Sequence, residues 1–174
     1  MGKVVLVLGG ARSGKSAFAL REASAASGAR KAYVATARPE DEEMRERIER
    51  HRRERGEDWW TVEEPVALPS ALVALAEEGF GTIVLDCLTL WLSNLLARGE
   101  DVRVRTEELL SALEQARSGA SLFIVSNEVG TGIVPEGALA RRFRDDAGWL
   151  NQQVAARADE AYLVVAGLTV KLKE

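Results

Sequence analysis

Short apolar runs alternate along the chain with longer segments in which apolar residues recur at helical spacing. The runs predict strands over residues 4–8, 32–36, 82–85, 122–126 and 161–165, with shorter candidates at 59–62 and 170–173. The longer segments predict helices over residues 16–26, 39–55, 69–78, 88–98, 106–117 and 136–158, with Gly148 as a candidate break in the last. This alternation predicts an α/β fold in which helices cover both faces of a mostly parallel sheet, and ligands bind beyond the carboxyl ends of the strands.

Length and composition limit the number of domains and the classes of function that fit the chain. A chain of 174 residues has the size of one domain, so we expect a single domain over residues 1–174. The net charge of −4 argues against an overall basic surface for nucleic acid. A single cysteine excludes an internal disulfide and favours a cytoplasmic location, and no apolar stretch is long enough to predict a membrane span.

The segment after the first predicted strand matches the pattern G-x-x-x-x-G-K-[ST] and precedes a predicted helix, which is the context that this phosphate-binding loop (P-loop) requires. Its glycines let several backbone N–H groups turn towards one anion, and the start of the helix adds partial positive charge. Lys15 can reach the β- and γ-phosphates of a nucleotide, and the Ser16 hydroxyl can ligate Mg²⁺. The alternative is a glycine-rich turn with a chance Lys-Ser pair. The predicted loop comprises Gly9, Gly10, Ala11, Arg12, Ser13, Gly14, Lys15 and Ser16.

Polar residues also follow two other predicted strands. Asp86 comes directly after the strand at 82–85, where it can bind Mg²⁺ or accept a proton from an attacking hydroxyl; capping the next helix is the alternative. Asn127 and Glu128 begin a glycine-rich loop after the strand at 122–126. They are placed either to contact substrate or metal-bound water in the same crevice, or simply to connect a strand to a helix.

The predicted helix over residues 39–55 is unusually charged. Met44, Ile48 and His51 share one face, but so polar a helix can bury little against its own core and is expected to project or to pack on another subunit. Neighbouring arginines disfavour the charged imidazolium form, and a neutral imidazole can attack phosphorus. From these residues alone, a solvated surface histidine is the stronger alternative for His51.

Known classes of P-loop protein can be tested against the chain. A guanine-reading N-K-x-D motif is absent, because Asn94, Asn127 and Asn151 are followed by Leu, Glu and Gln. A small-molecule kinase fits the size and layout. Three further motifs occur in order: Tyr-Val-Ala-Thr-Ala at 33–37, Asp-Cys-Leu-Thr at 86–89 and Asn-Glu-Val-Gly-Thr-Gly-Ile-Val-Pro at 127–135. Together with the His-bearing helix and the P-loop, they make the chain resemble, over essentially its whole length, the bifunctional adenosylcobinamide kinase/adenosylcobinamide-phosphate guanylyltransferase family.

The resemblance implies two reactions on two corrinoid substrates, adenosylcobinamide and adenosylcobinamide-phosphate. ATP or GTP would phosphorylate the aminopropanol hydroxyl of the first, and GTP would then donate GMP to the phosphate of the second, releasing pyrophosphate. His51 occupies the position of the histidine that is guanylylated in the family, and Lys15, Asp86 and Mg²⁺ would assist. The family is described as homotrimeric, so a homo-oligomer is expected.

The same resemblance assigns the remaining contacts. Ala35, Thr36 and Ala37 match a nucleotide-contact segment, and Arg52, Arg53, Glu54, Arg55 and Glu63 match positions near the guanosine. Ser16 and Asp86 are the expected metal ligands, although some relatives carry Glu at the position of Asp86, which makes the reach of this carboxylate one methylene shorter. Two alternatives stay open: a P-loop kinase without guanylyl transfer, and a GTP-binding regulatory module.

Overall fold

The computed structural model describes residues 1–26, 30–38, 42–56 and 58–174, although within 42–56 it leaves out the side chains at 43, 44, 47, 51, 54 and 55. Within these ranges seven strands form one sheet in the order β3-β2-β4-β5-β1-β6-β7. All neighbouring strands are parallel except β6 and β7, which form an antiparallel hairpin at one edge. The strands are β1 (Val4–Gly9), β2 (Arg30–Ala35), β3 (Trp59–Glu63), β4 (Phe80–Asp86), β5 (Ser121–Asn127), β6 (Glu160–Val165) and β7 (Leu168–Lys173). The predicted α/β class is confirmed.

The described residues also form six helices: α1 (Lys15–Ala25), α2 (Glu42–Arg55), α3 (Leu68–Glu77), α4 (Leu88–Ala97), α5 (Val102–Ala116) and α6 (Ala138–Arg157). Helix α5 begins four residues before the predicted start because Asp101 caps it, accepting hydrogen bonds from the N–H groups of Arg103 and Val104 at 2.8 and 3.2 Å. Pro39, with which the second helix was predicted to begin, lies outside the described residues.

The predicted break in the last helix is wrong. Helix α6 runs unbroken through Gly148. A glycine inside a helix costs only about 1 kcal/mol relative to alanine. Burial of Ala147, Leu150 and Val154 against the core outweighs that cost. None of the helices in the described ranges is both long and apolar enough to cross a bilayer.

Alternate side chains of the strands point into two separate cores. On β1, Val4 and Leu6 pack with helices α3 to α6, while Val5 and Val7 pack with α1. Both sets are nearly inaccessible to solvent. The central strands therefore read as continuous apolar runs, as expected for a parallel sheet that is covered on both faces. This arrangement leaves the carboxyl ends of β1, β2, β4 and β5 side by side at one edge of the sheet.

Candidate active site

The P-loop forms the turn from β1 into α1, with Gly9 ending the strand and Lys15 beginning the helix. Two of its residues have backbone conformations in the left-handed region, Arg12 at φ 56° and Gly14 at φ 94°. A Cβ atom at position 14 would also lie 3.3 Å from the Cα atom of Gly167. Both observations favour glycine at position 14, where the loop has to curl before the helix begins.

Neighbouring elements hold the P-loop from two sides. The N–H of Glu128, just after β5, donates to the carbonyl of Gly9 at 3.0 Å. From the turn between β6 and β7, the N–H of Gly167 donates to the carbonyl of Ser13 at 2.8 Å. These two backbone hydrogen bonds hold the loop in its curled shape, and a loop that is already ordered loses less entropy when it binds an anion.

The start of α1 is suited to an anion. Its N-terminal turn has no side-chain cap from any described residue, so the leading N–H groups are left for a ligand. Lys15 is 7% exposed, and its Nζ donates to the carbonyl of Gly10 at 3.0 Å. The ammonium group therefore folds over the loop, where the β- and γ-phosphates of a nucleotide would lie.

A cavity opens beside the P-loop at the carboxyl edge of the sheet. Residues from helices α1, α2 and α4 and from the ends of four strands, or the segments that follow them, meet there: Lys15, Ser16, Tyr33, Ala35, Ala37, Ile48, Arg52, Thr61, Glu63, Asp86, Cys87, Leu90 and Asn127. The cavity thus brings together the P-loop lysine and serine, the acidic residue that ends β4, and Arg52 and Glu63 of the predicted guanosine-contacting set.

Asp86 ends β4, and the hydroxyl of Tyr33 on the neighbouring strand β2 donates to its Oδ2 at 2.7 Å. The peptide bond between Asp86 and Cys87 is cis. Tyr33 was not among the predicted site residues, because the sequence places it only in an apolar strand and in the motif at 33–37. A buried tyrosine needs a partner for its hydroxyl, and that need was the available signal.

Thr36 lies deeper than its predicted role suggests. It is fully buried, and its hydroxyl donates to the carbonyl of Cys87 at 2.7 Å and accepts from the N–H of Cys87 at 2.8 Å. The amide of Asn94 donates to the carbonyl of Thr36 at 2.9 Å. In this structure the polar groups of Thr36 join the end of β2 to the segment after β4, which fixes the position of Asp86.

Helix α2 lies along the mouth of the cavity through Ile48 and Arg52. Arg52 pairs with Glu63 at the end of β3, and both side chains are about half exposed, 50% and 47%. Position 51 follows Ile48 by three residues, the spacing that brings positions to the same side of a helix. Arg53 is exposed, and the side chains of His51, Glu54 and Arg55 lie outside the described part of the structure.

A hydrogen-bonded group of side chains lies under the cavity. Burial raises the pKa of the Cys87 thiol, whose sulfur is 3.2 Å from the hydroxyl of Thr89. The same hydroxyl accepts a hydrogen bond from Nδ2 of Asn127 at 2.6 Å. Cys87 is a free, buried thiol. Glu128 was predicted, with Asn127, either to contact substrate or metal-bound water or to connect a strand to a helix. In the structure its carboxylate accepts a hydrogen bond from the N–H of Gly130 within its own loop.

Comparison with known proteins identifies the family. A family model described as cobinamide kinase / cobinamide phosphate guanyltransferase matches residues 5–172. The chain belongs to this family. The resemblance found in the sequence motifs is therefore confirmed.

Bacterial members of the cobinamide kinase family resemble the chain over nearly their full length. The bifunctional adenosylcobalamin biosynthesis protein CobP of Pseudomonas aeruginosa is 47% identical, and the match covers 97% of this chain and 96% of that protein. The bifunctional adenosylcobalamin biosynthesis protein CobU of Escherichia coli is 40% identical, with coverage of 98% and 99%. Its counterpart in Salmonella typhimurium is 41% identical, also with coverage of 98% and 99%.

Solved structures confirm the fold. The flagellar accessory protein FlaH from Methanocaldococcus jannaschii superposes with a TM-score of 0.58 at 14% identity, covering 99% of this chain and 78% of that one. An ATPase from a bacterial type III secretion system gives a TM-score of 0.60 at 16% identity, covering 98% and 57%. At such low identity these similarities concern architecture alone. They confirm the architecture of this chain, a mostly parallel sheet with helices on both faces.

Proposed function

We propose that this chain catalyses both reactions of its family within one domain. The first phosphorylates the aminopropanol hydroxyl of adenosylcobinamide with ATP or GTP. The second transfers GMP from GTP to the resulting phosphate and releases pyrophosphate. Family membership over residues 5–172 supports the proposal. The structural observation that carries it is the single cavity shared by Lys15 of the P-loop, Asp86 and helix α2.

For the kinase reaction, the P-loop N–H groups and Lys15 would bind the β- and γ-phosphates. The corrinoid hydroxyl oxygen then forms a bond to the γ-phosphorus while the bond to the β–γ bridging oxygen breaks, and the hydroxyl proton passes to the Asp86 carboxylate or to an oxygen of the transferred phosphoryl group. Ser16 and Asp86 line the same cavity and offer the hard oxygen ligands that suit Mg²⁺. Mg²⁺ held there would offset the negative charge of the phosphates.

For the guanylyl transfer, His51 would act as the nucleophile. Its ring nitrogen forms a bond to the α-phosphorus of GTP, and the bond to the α–β bridging oxygen breaks to release pyrophosphate. A phosphate oxygen of adenosylcobinamide-phosphate next attacks the same phosphorus and restores the free histidine. Arg52, Arg53, Glu54, Arg55 and Glu63 would bind the guanosine. Ala35 and Ala37, which line the cavity, would contact the nucleotide, and the buried Thr36 would hold the segment between them. The position of α2 along the cavity supports this assignment.

Two variants separate the reactions. His51→Asn is expected to lose GMP transfer and to keep the kinase activity, because only the transfer needs the imidazole. Lys15→Ala is expected to lose both, because both need a bound triphosphate. The products, adenosylcobinamide-phosphate and adenosylcobinamide-GDP, can be resolved by chromatography. A His51→Asn variant that still makes adenosylcobinamide-GDP would contradict the proposal, and a protein with kinase activity alone would support a simple kinase instead.

We also propose that the chain works in the cytoplasm as a homotrimer. Support for an oligomer comes from helix α2. Its described charged side chains are exposed, so the helix has few apolar side chains to pack against the core of this chain. Light scattering on purified protein tests the oligomeric state. A mass three times that of the chain is expected, and the mass of one chain would contradict this part of the proposal.

A further inference from the structure

Asn127 occupies a central place at the carboxyl edge of the sheet. It ends β5, the strand between the P-loop strand β1 and the Asp86 strand β4. Gly9 is its register partner on β1, and Asp86 pairs with Val125 two residues earlier on β5. The Asn127 side chain lines the cavity together with Lys15 and Asp86. Its position is therefore between the phosphate-binding loop and the acidic residue.

Contacts with Thr89 and Cys87 set the orientation of the Asn127 side-chain amide. Nδ2 donates to the hydroxyl of Thr89 at 2.6 Å and lies 3.9 Å from the sulfur of Cys87, so its donor side faces two acceptors. Thr89 is 3% exposed and stands in the first turn of α4. The backbone carbonyl of Asn127 accepts from Nδ2 of Asn151 at 3.2 Å. None of the described residues donates a hydrogen bond to Oδ1 of Asn127. Oδ1 is therefore the atom of this amide that can bind a ligand.

Because Oδ1 of Asn127 is a hydrogen-bond acceptor, it favours a ligand group that donates a hydrogen bond. Phosphate oxygens are themselves acceptors, so Oδ1 of Asn127 would repel a phosphate rather than bind it. An O–H group is the complementary partner. Under the proposed function, the cavity must receive one such group, the hydroxyl that attacks the γ-phosphate. A water molecule on a bound metal ion is the other source of an O–H donor.

We propose that Oδ1 of Asn127 accepts a hydrogen bond from the hydroxyl of the phosphoryl acceptor, and that Thr89 is the positioning residue that orients the amide. The inference rests on the proposed kinase reaction. The bond directs the hydroxyl hydrogen towards β5, which leaves an oxygen lone pair to face the γ-phosphorus above the P-loop. Asn127 takes up no proton in this contact.

Asn127→Ala and Thr89→Val test the proposal by separating acceptor binding from nucleotide binding. Asn127→Ala is expected to lower kcat/KM for adenosylcobinamide by about tenfold to thirtyfold, the effect of one hydrogen bond. Thr89→Val is expected to lower it by about threefold to tenfold because the amide loses its anchor, and Thr89→Ser is expected to restore it. The Kd for GTP, measured by calorimetry with and without Mg²⁺, should stay within about twofold of the unsubstituted protein.

Ser126→Ala is the matched control. Ser126 is the neighbouring residue on β5, and its buried hydroxyl donates to Oδ1 of Asn151 at 2.6 Å, away from the cavity. The Ser126→Ala variant loses one buried hydrogen bond at the same strand end. It should therefore have a lower melting temperature and an unchanged kcat/KM. Equal loss of kcat/KM in Ser126→Ala and Asn127→Ala would mean that Asn127 acts only through stability, and this would overturn the proposal.

Two further results would overturn it. Unchanged kcat/KM in Asn127→Ala would show that no hydroxyl contacts this amide. A weaker GTP complex that appears only with Mg²⁺ would assign Oδ1 to a metal-bound water instead. The unsubstituted protein reports on the proposed function separately: if it does not phosphorylate adenosylcobinamide, the kinase assignment itself fails and this inference fails with it.

Discussion

Substitution of Gly9 by alanine tests whether the P-loop is shaped by its surroundings. A Cβ atom built at Gly9 lies 2.4 Å from the hydroxyl oxygen of Ser13 and 2.7 Å from the backbone carbonyl oxygen of Val164. The serine side chain can rotate away. The carbonyl belongs to β6, which pairs with β1 at this residue, so it can move only if the two strands separate or the loop shifts.

The expected cost follows from two opposing effects. Overpacking of a well-packed site by one methyl group costs about 1–3 kcal/mol. Loss of glycine freedom in the unfolded chain stabilises the variant by about 0.4–1 kcal/mol. The free energy of unfolding should therefore fall by about 1–2 kcal/mol in Gly9→Ala. A protein of this size would show this as a decrease in Tm of about 2–8 °C.

Gly10→Ala is the control, because none of the described atoms beyond the neighbouring residues lies within 4 Å of a Cβ atom at Gly10. Its free energy of unfolding should change by less than about 0.5 kcal/mol. Urea denaturation of both variants without nucleotide measures the difference. If Gly9→Ala were as stable as Gly10→Ala, the contact between the P-loop strand and β6 would not constrain the loop, and the reasoning would be refuted.

Three further outcomes are expected. Tyr33→Phe should lower kcat of the kinase reaction about tenfold at unchanged Kd for GTP, because the hydrogen bond that holds Asp86 is lost. Steady-state kinetics measures kcat, and calorimetry measures the Kd. The hydrogen bond from Lys3 lowers the pKa of Glu160 from 4.5 to about 2, so the ionised form stabilises the fold above pH 4.5. Glu160→Gln should thus lower Tm at pH 7, and the difference should shrink as the pH falls from 4.5 to 2. Because burial raises the pKa of Cys87, thiol reagents at neutral pH should modify it only after denaturation.

The parts of the site that could be predicted from sequence are local in the chain. The P-loop combines a strand, a glycine turn and a helix start within a few residues, and its chemistry follows from the backbone of that segment. Asp86 could be placed because a carboxylate that follows an apolar strand lies at the carboxyl edge of a parallel sheet. In both cases the residue types and their spacing carry the information.

The parts that were missed join residues that are distant in sequence. Tyr33 contacts Asp86, and Asn127 contacts Thr89, only because β2, β4 and β5 are neighbours in the sheet. Strand order is set by packing of the whole domain, so no local pattern reveals these pairs. The incorrect break at Gly148 has the same origin, since buried neighbours on α6 outweigh a weak local preference.

The most direct test of the proposed chemistry is the intact mass of the protein after incubation with GTP and Mg²⁺ at neutral pH, without corrinoid. We expect an added mass of one GMP that is lost in acid and absent in His51→Asn. Protein that binds GTP but acquires no adduct would contradict guanylyl transfer through His51, and the chain would then be interpreted as a kinase alone.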